Sequence, residues 1–501
     1  MHGRQKKERT AEEEVAKEKE RCKKVAAYQY AMGLIFSKRG KKELDEELLK
    51  ITQQVLASNP DISTLWNIRK EVLSVMKETD FTNFLDVVLQ KELDFTEFCL
   101  KINPKSYGAW HHRTWLMKET NFSKVTSELK LCAKYLEYDD RNFHCWDYRR
   151  YLVENCSEVT LEQEFDFTTE KISSNFSNFS SWHLRSKILP KLPRDFLEEE
   201  LELIRNAVFT DPKDQSAWFY HRWLLRSQLP AENPYLIAAQ YSDTKLSLIF
   251  SSKSPIPSQS GVKVIDTDKI IGNLKWTNPW SNTCSKLWEC QLPEANKNIS
   301  IKADSSVMRN FGSVDLSLKH GDLKRNFPKY FDAETERKND KFLSLLKEEI
   351  SWVQELQEME PDVKWPICTL IMLMRMVDFV KYKENILNHL DKLMKLDSQR
   401  INYYLDLRSK YLIEWKLVEC SSLPGLDETV LDLSGLNLTA LYYPERMCFQ
   451  TKINLSNNAL KNCEPFRALV NCKELNVSGN NLAKTKLEST IEGLKNLKIE
   501  L

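Results

Sequence analysis

Large apolar residues recur along the first half of the chain at a nearly constant interval. Tryptophan stands at Trp66, Trp110, Trp146, Trp182 and Trp218, and the last three steps are 36 residues each. An arginine follows on the same helix face in every unit: Arg69, Arg113, Arg149, Arg185 and, one residue later than the spacing of the others, Arg222 after His221. A period of this size is typical of stacked helical hairpins. We therefore interpret these residues as structural, with each ring packing hairpin on hairpin and each guanidinium reaching carbonyls of a neighbour.

Polar residues ahead of each tryptophan predict where its helix begins. Three units carry an Asx-Pro pair, namely Asn59-Pro60, Asn103-Pro104 and Asp211-Pro212, and the other two carry Asp139-Asp140 and Ser173-Ser174. Asx and Ser side chains cap helices, and proline suits the first turn. The expected helices therefore start at these pairs.

The same patterning divides the chain into regions. Residues 25–241 and 333–417 carry helical periodicity and predict one helical repeat domain, in which Tyr404 marks a degraded sixth unit. Residues 242–332 are rich in Ser, Thr, Asn and Lys and contain short alternating runs, which predict an inserted β-sandwich. Residues 1–24 are almost all charged and predict an N-terminal arm, either a solvated helix or a frayed segment.

A second repeat occupies residues 418–501. Short apolar runs begin at Leu431, Ile453, Leu475 and Leu497, in steps of 22, and two of them continue to an asparagine at Asn458 and Asn480. This is the leucine-rich pattern at a permitted period, and asparagine at that place satisfies turn backbone groups. The chain is thus expected to be multidomain and mainly α-helical, with two smaller modules.

Composition excludes several classes of function. Lys plus Arg number 73 against 72 Asp plus Glu, so the net charge of +1 offers no bulk electrostatic case for nucleic acid. Twelve cysteines are scattered without a Cys-x-x-Cys pair and are expected to be reduced thiols in a cytoplasmic protein. No apolar run reaches membrane-spanning length.

Candidate chemistry is sparse, because phosphate-binding glycine loops and the common hydrolase and metal motifs are absent from the sequence. Lys105 follows Pro104 at an expected helix N-terminus, where a cation is unfavourable unless an anion binds there too. Tyr107 adds a hydroxyl donor beside it. Lys213 follows Pro212 in the same way but lacks the tyrosine, and we interpret it as structural.

The repeated text, of the form Asn/Asp-Pro-x-x-Tyr-x-Ala-Trp-x-x-Arg, resembles that of the α subunits of protein prenyltransferases. Of the three kinds, the type II or Rab geranylgeranyltransferase kind has an inserted immunoglobulin-like domain and a C-terminal leucine-rich repeat domain. The order of regions here is similar over essentially the whole chain, including the start Met1-His2-Gly3-Arg4. The resemblance implies an α-α superhelix of prenyltransferase α repeats with both added domains.

The resemblance also implies a function. The α subunit is expected to pair with a prenyltransferase β subunit that binds zinc and the isoprenoid, with magnesium as a further candidate cofactor. The heterodimer, inactive as separate chains, would transfer geranylgeranyl from geranylgeranyl diphosphate to C-terminal cysteines, usually two, of Rab GTPases presented by a Rab escort protein. Lys105 and Tyr107 match the family's Lys-x-Tyr that stabilises the diphosphate. His2 resembles a residue that can bind the zinc of the β subunit.

Two alternatives remain at this point. The α subunit of a CaaX-type prenyltransferase would share the helical repeats, but it lacks the insertion and the leucine-rich tail. A non-catalytic scaffold of tetratricopeptide-like hairpins with a leucine-rich module would bind peptides. Such repeats run at 34 residues, whereas these run at 36 with tryptophan.

Overall fold

The computed structural model describes residues 11–193, 195–229, 236–242, 244–255, 257, 262–266, 269–292, 298–303, 314–319, 323–325, 340–422, 430–491 and 497–500. The chain forms two compact units, Met1–Phe196 and Leu197–Leu501. The predicted zinc ligand His2 lies outside the described residues.

The first unit is helical throughout its described part. Its helices are α1 (Ala11–Gly40), α2 (Glu46–Ser58), α3 (Ser63–Thr79), the short α4 (Phe81–Asn83), α5 (Leu89–Ile102), α6 (Tyr107–Glu119), α7 (Val125–Tyr138), α8 (Phe143–Asn155), α9 (Leu161–Ser174) and α10 (Phe179–Ile188). A π-helical turn, Phe84–Val88, joins α4 to α5, and a 3-10 turn, Leu189–Lys191, follows α10. The predicted border between arm and repeats at residue 24 is no break, because α1 runs through it.

Each hairpin pairs a first helix with a second helix that carries the tryptophan. The pairs are α2 with α3, α5 with α6, α7 with α8, and α9 with α10, and the second helices α3, α6 and α8 pack in succession. One hydrogen bond recurs in every hairpin, because the tryptophan indole Nε1 donates to the backbone carbonyl six residues earlier. The distance is 2.8 Å from Trp110 to Pro104 and from Trp146 to Asp140. The tryptophan therefore fastens its helix to the loop that precedes it.

The predicted helix starts were wrong by three to five residues. The second helices have the N-caps Ile62, Ser106, Asn142, Asn178 and Asp214. The predicted caps were Asn59, Asn103, Asp139, Ser173-Ser174 and Asp211. Asn103 and Asp139 are instead the C-caps of the first helices, α5 and α7. Each also accepts a hydrogen bond from the N–H two residues on, which makes an Asx turn. The side chain that appeared to begin one helix ends the other.

Four of the five repeated arginines, Arg69, Arg113, Arg149 and Arg185, are buried and bonded as the spacing predicts. Each guanidinium donates to a carbonyl 20 residues earlier: Arg69 to Leu49, Arg113 to Leu93, Arg149 to Leu129 and Arg185 to Phe165. Three of them also pair with a buried glutamate, namely Arg69 with Glu92, Arg113 with Glu128 and Arg149 with Glu164. These pairs join the hairpins through charge as well as through apolar packing.

The second unit begins with the fifth hairpin, and six of its helices flank the inserted strands in sequence. They are α11 (Leu197–Thr210), α12 (Gln215–Ser227), α13 (Asp340–Met359), α14 (Lys364–Asp378), α15 (Lys383–Leu396) and α16 (Ile401–Ser422). His221, rather than the predicted Arg222, takes the arginine position, because its Nε2 lies 2.7 Å from the Glu349 carboxylate. Arg222 sits one residue round the helix, with its guanidinium 5.6 Å from the Trp365 ring centre.

The insertion consists of two antiparallel sheets. Its strands are β1 (Leu236–Ser242), β2 (Lys245–Pro255), β3 (Val262–Asp266), β4 (Lys269–Ile270), β5 (Trp276–Thr277), β6 (Cys284–Gln291), β7 (Asn298–Ala303), β8 (Val314–Lys319) and β9 (Leu323–Arg325). The sheet orders are β5-β6-β2-β1-β9 and β4-β3-β7-β8, and apolar side chains from both sheets share one buried cluster.

The predicted border of the insertion at residue 242 falls too late. Strand β1 already begins at Leu236 and pairs with β2, with Tyr241 opposite Leu246 and Ser242 opposite Lys245. The segment contains two alanines and lies next to helical text, so its sequence alone does not mark it as a strand. Pairing with β2 decides it.

The last module is a parallel sheet of short strands, β10 (Val430–Asp432), β11 (Lys452–Asn454), β12 (Glu474–Asn476) and β13 (Lys498–Glu500), with helix α17 (Lys484–Ile491). Leu431, Ile453 and Leu475 stand opposite one another in the predicted steps of 22, but the fourth strand pairs through Ile499 and not through the predicted Leu497. Asn458 Nδ2 donates to the carbonyls of Leu433 and Leu455, and Asn480 repeats this one coil later. The predicted asparagine role in the turns is confirmed by these bonds.

Candidate functional site

The loop between α5 and α6 holds Lys105 in a defined backbone conformation. Asn103 Oδ1 accepts a hydrogen bond from the Lys105 N–H at 3.1 Å. Ser106 then caps α6, accepting from the Ala109 N–H, and its hydroxyl donates to Pro60 O at 3.0 Å. Lys105 therefore lies just before the N-cap, rather than within the first turn as the sequence indicated.

The side chains of Lys105 and Tyr107 both reach the next repeat. Lys105 Nζ lies 3.1 Å from Asp139 Oδ2, and the lysine side chain remains 59% exposed. The Tyr107 ring, 70% exposed, lies edge-on to His144 with ring centres 4.2 Å apart and 6.2 Å from Phe143. The two residues flank Ser106 and form one exposed surface with the start of α8.

Close packing beneath this surface fixes the start of α6. A Cβ on Gly108 would lie 2.5 Å from Cδ1 of the Trp66 indole, which packs directly over the glycine backbone. The Trp66 Nε1 in turn donates to Pro60 O, the same carbonyl that Ser106 uses. Contacts with the preceding repeat therefore fix the position of the helix end that bears Tyr107.

An anion at this site would meet the positive charge of Lys105, which Asp139 Oδ2 partly offsets at 3.1 Å. Burial lowers the pKa of His144, and Lys105 acts in the same direction against the opposing effect of Asp147. The lowered pKa favours the neutral form of the His144 imidazole. An ammonium, a phenol and a neutral imidazole can together bind phosphate oxygens, and they can stabilise charge that develops there.

The described residues contain no group of three or more His, Cys, Asp or Glu side chains that could hold a metal ion. The adjacent histidines of α6 serve different contacts. His112 is buried, with Nε2 2.8 Å from Glu92 Oε1, while His111 Nδ1 lies 3.2 Å from Lys70 Nζ. All twelve cysteines are free thiols. No helix within the described ranges is long and apolar enough to cross a membrane.

Three residues of this surface escaped the sequence reasoning. Asp139, Phe143 and His144 belong to the next repeat and meet Lys105 and Tyr107 only through stacking. The repeat period could have found Phe143, because it stands 36 residues after Tyr107 at the same place in its hairpin. Asp139 similarly stands 36 residues after Asn103.

Comparison with known proteins places these hairpins in a recognised class. The model of the protein prenyltransferase alpha subunit repeat matches residues 89–120, 125–156, 161–192 and 197–228. Those ranges coincide with the hairpins α5–α6, α7–α8, α9–α10 and α11–α12 with its following turn. The repeats are therefore those of a prenyltransferase α subunit.

Relatives over the whole length define the family more narrowly. The chain is 36% identical to geranylgeranyl transferase type-2 subunit alpha of Rattus norvegicus, over 99% of this chain and 89% of that protein. Identity to the Homo sapiens protein of the same name is also 36%, with the same coverage. The Dictyostelium discoideum protein of that name is 29% identical over 82% of this chain and its own full length. The chain belongs to the family of geranylgeranyl transferase type-2 α subunits.

Proposed function

We propose that this chain is the α subunit of a cytoplasmic, heterodimeric Rab geranylgeranyltransferase. The heterodimer transfers geranylgeranyl from geranylgeranyl diphosphate to C-terminal cysteines of Rab GTPases, usually two of them, which a Rab escort protein presents. Membership of the type-2 α-subunit family is the observation that carries this proposal. The same membership argues against a CaaX-type subunit and against a scaffold without enzymatic activity, because the similarity extends over 99% of the chain.

An exposed row of aromatic rings on the first unit is evidence for the binding of a partner chain there. Tyr107, Phe143 and Phe179 are each the first residue of a second helix, and they are 70%, 50% and 50% exposed. Rings that repeat at one position and stay open to solvent in a single chain favour association, because their burial is worth roughly 25 cal/mol per Å² of apolar area. The proposed occupant is the β subunit.

The proposed chemistry divides between the two chains. Zinc, which the β subunit would hold, would lower the pKa of the Rab cysteine thiol and so favour its thiolate form. On this chain, the Lys105 ammonium and the Tyr107 hydroxyl meet the diphosphate as negative charge builds on its oxygens. Lys105 has the reach for this because its side chain is 59% exposed, while Asx turn and cap hold its backbone. His2 as a zinc ligand, and magnesium as a further cofactor, stay proposals from the resemblance.

The two smaller modules are assigned in the same way. The two-sheet insertion is proposed to be the immunoglobulin-like domain of this family. The parallel sheet, whose turns contain Asn458 and Asn480, is proposed to be the leucine-rich repeat domain. The modules touch within the second unit, where Ile249 and Leu287 share a buried cluster with Phe449. The two modules therefore pack against each other.

The test is co-expression with a prenyltransferase β subunit. Labelled geranylgeranyl transfer to a Rab protein is measured with and without escort protein, for each chain alone and for the heterodimer. We expect activity only with both chains and the escort protein present. Transfer by this chain alone, or failure of the two chains to associate, would contradict the proposal.

The role of Lys105 is tested with a matched pair of variants. Lys105→Ala should slow transfer by about 10-fold to 1000-fold, as loss of a group that stabilises transition-state charge does, while leaving heterodimer assembly intact. Lys213→Ala is the control, because Lys213 occupies the same loop position of the fifth hairpin, where Asp211 accepts from its N–H. The control should transfer at the wild-type rate. Equal rates for Lys105→Ala and the wild type would refute the diphosphate role.

A further inference from the structure

Asp139 uses its two carboxylate oxygens for different purposes. Oδ1 accepts the Arg141 N–H at 3.0 Å and closes the Asx turn of its own repeat. Oδ2 lies 3.1 Å from the ammonium of Lys105 in the preceding repeat. The first contact recurs in every hairpin, because Asn59, Asn103, Asn175 and Asp211 make it too. The second contact is the one that bears on the site.

The preceding pair of repeats makes the equivalent contact with its polarity reversed. Asn103 occupies the position of Asp139, and its Nδ2 donates to Asp61 Oδ2 at 2.9 Å. Asp61 occupies the position of Lys105, two residues beyond the Asx residue of its own repeat. One tether between adjacent loops is thus built from an amide and a carboxylate, and the next from a carboxylate and an ammonium. This exchange of charge places the cation of Lys105 two residues before Tyr107 and pairs that cation with Asp139.

A fixed partner matters because a lysine side chain is long and flexible. Four rotatable bonds let an exposed ammonium sample many positions, and holding it in one position costs conformational entropy. The Asx turn at Asn103 holds the backbone of Lys105, and Asp139 restrains the far end of its side chain. Asp139 belongs to the same loop and helix start that bring His144 against Tyr107.

We propose that Asp139 is a positioning residue, which holds the Lys105 ammonium where the departing diphosphate is to be met. This inference rests on the proposed function. Asp139 does not touch the substrate; it acts through Lys105. Its carboxylate also repels an anionic ligand, so its benefit is expected in turnover and not in the affinity for geranylgeranyl diphosphate.

The experiment compares wild type, Asp139→Asn, Lys105→Ala and the double variant as purified heterodimers with the β subunit. Asparagine keeps the turn, as Asn103 and Asn175 do at the same position. Exposed ion pairs contribute about 0.2–1 kcal/mol, so Asp139→Asn should lower kcat about 1.5-fold to fivefold. The KM for geranylgeranyl diphosphate should stay level or fall. In the Lys105→Ala background the same change should have no further effect.

Two further variants separate positioning from folding. Asp211→Asn makes the same chemical change in the fifth hairpin and should leave kcat unchanged. Asp139→Ser keeps an oxygen for the turn and should repeat the kinetic pattern of Asp139→Asn. An Asp139→Asn enzyme with wild-type or higher kcat overturns the inference, and so does an equal loss in the Lys105→Ala background. If Lys105→Ala itself transfers at the wild-type rate, the diphosphate role fails, and the inference fails with it.

Discussion

The buried glutamates of the helical repeats should control stability, and Glu92 on α5 offers the sharpest case. Its side chain is 5% exposed, accepts from Arg69 Nε at 2.8 Å and lies 2.8 Å from His112 Nε2. Burial by itself would raise the pKa of Glu92, but the Arg69 guanidinium and the His112 contact together lower it to about 2 from its usual 4.5. The change to test is Glu92→Gln, which keeps the shape and removes the charge.

The expected loss follows from the pKa. Each unit of pKa difference between folded and unfolded states corresponds to about 1.4 kcal/mol, so a pKa near 2 corresponds to about 3 kcal/mol at neutral pH. Leaving the buried Arg69 charge unpaired costs a similar 3–5 kcal/mol by general experience. Because the folded-state pKa is lowered, this stabilisation is complete above about pH 4.5 and disappears as pH falls towards 2.

Native-state hydrogen exchange at pH 7, 5 and 3.5 measures the opening free energy of peptides that cover α3 and α5. Glu92→Gln should lower it by about 3 kcal/mol at pH 7, and the difference from wild type should shrink at pH 3.5. Glu71→Gln is the control, because Glu71 pairs with Arg39 while 38% exposed and should cost no more than about 1 kcal/mol. Equal losses for the two variants at pH 7, or a difference that does not depend on pH, would refute the reasoning.

Three other substitutions test packing and hydrogen bonding by thermal unfolding. Trp146→Phe keeps a buried ring but orphans the Asp140 carbonyl, and should cost about 1–3 kcal/mol; an unchanged transition would show that the recurring indole bond is dispensable. Gly108→Ala should cost about 1–3 kcal/mol through the clash with Trp66, whereas Gly33→Ala, with nothing within 4 Å, should be neutral or stabilising. Asn458→Ala removes hydrogen bonds to three backbone carbonyls and should lower the free energy of unfolding by about 3 kcal/mol. The control Asn462→Ala, at an exposed turn, should change it little. Similar losses for the two variants would contradict the role of Asn458 in the turn.

Local prediction failed where two elements share one residue. Asn103 and Asp139 have the side chains of N-caps, and proline after Asn103 strengthened that interpretation. The structure uses them at the ends of the first helices, because the loop needs an Asx turn before Ser106 or Asn142 can cap the second helix. Asn and Asp are favoured both at a helix N-cap and in an Asx turn, so the sequence alone does not distinguish these two roles.

Periodicity, by contrast, sufficed for whatever depends on one helix face or one strand step. The tryptophan interval predicted the hairpins, the arginine spacing predicted the buried contacts to carbonyls in four of five hairpins, and the step of 22 predicted the first three parallel strands. The family resemblance, which the relatives confirm, rests on the same intervals. These features are local, because residues at fixed spacing face the same way whatever surrounds them.

Tertiary structure alone decided the contacts between repeats. That His221 rather than Arg222 meets Glu349, and that Asp139 meets Lys105, depends on how successive hairpins stack. Such partners are separated by dozens of residues, and a shift of one position turns a helical side chain by about 100°, to another face. The chain's own sequence therefore determined its repeats and its candidate cation, while the packing of one repeat on the next determined what holds that cation in place.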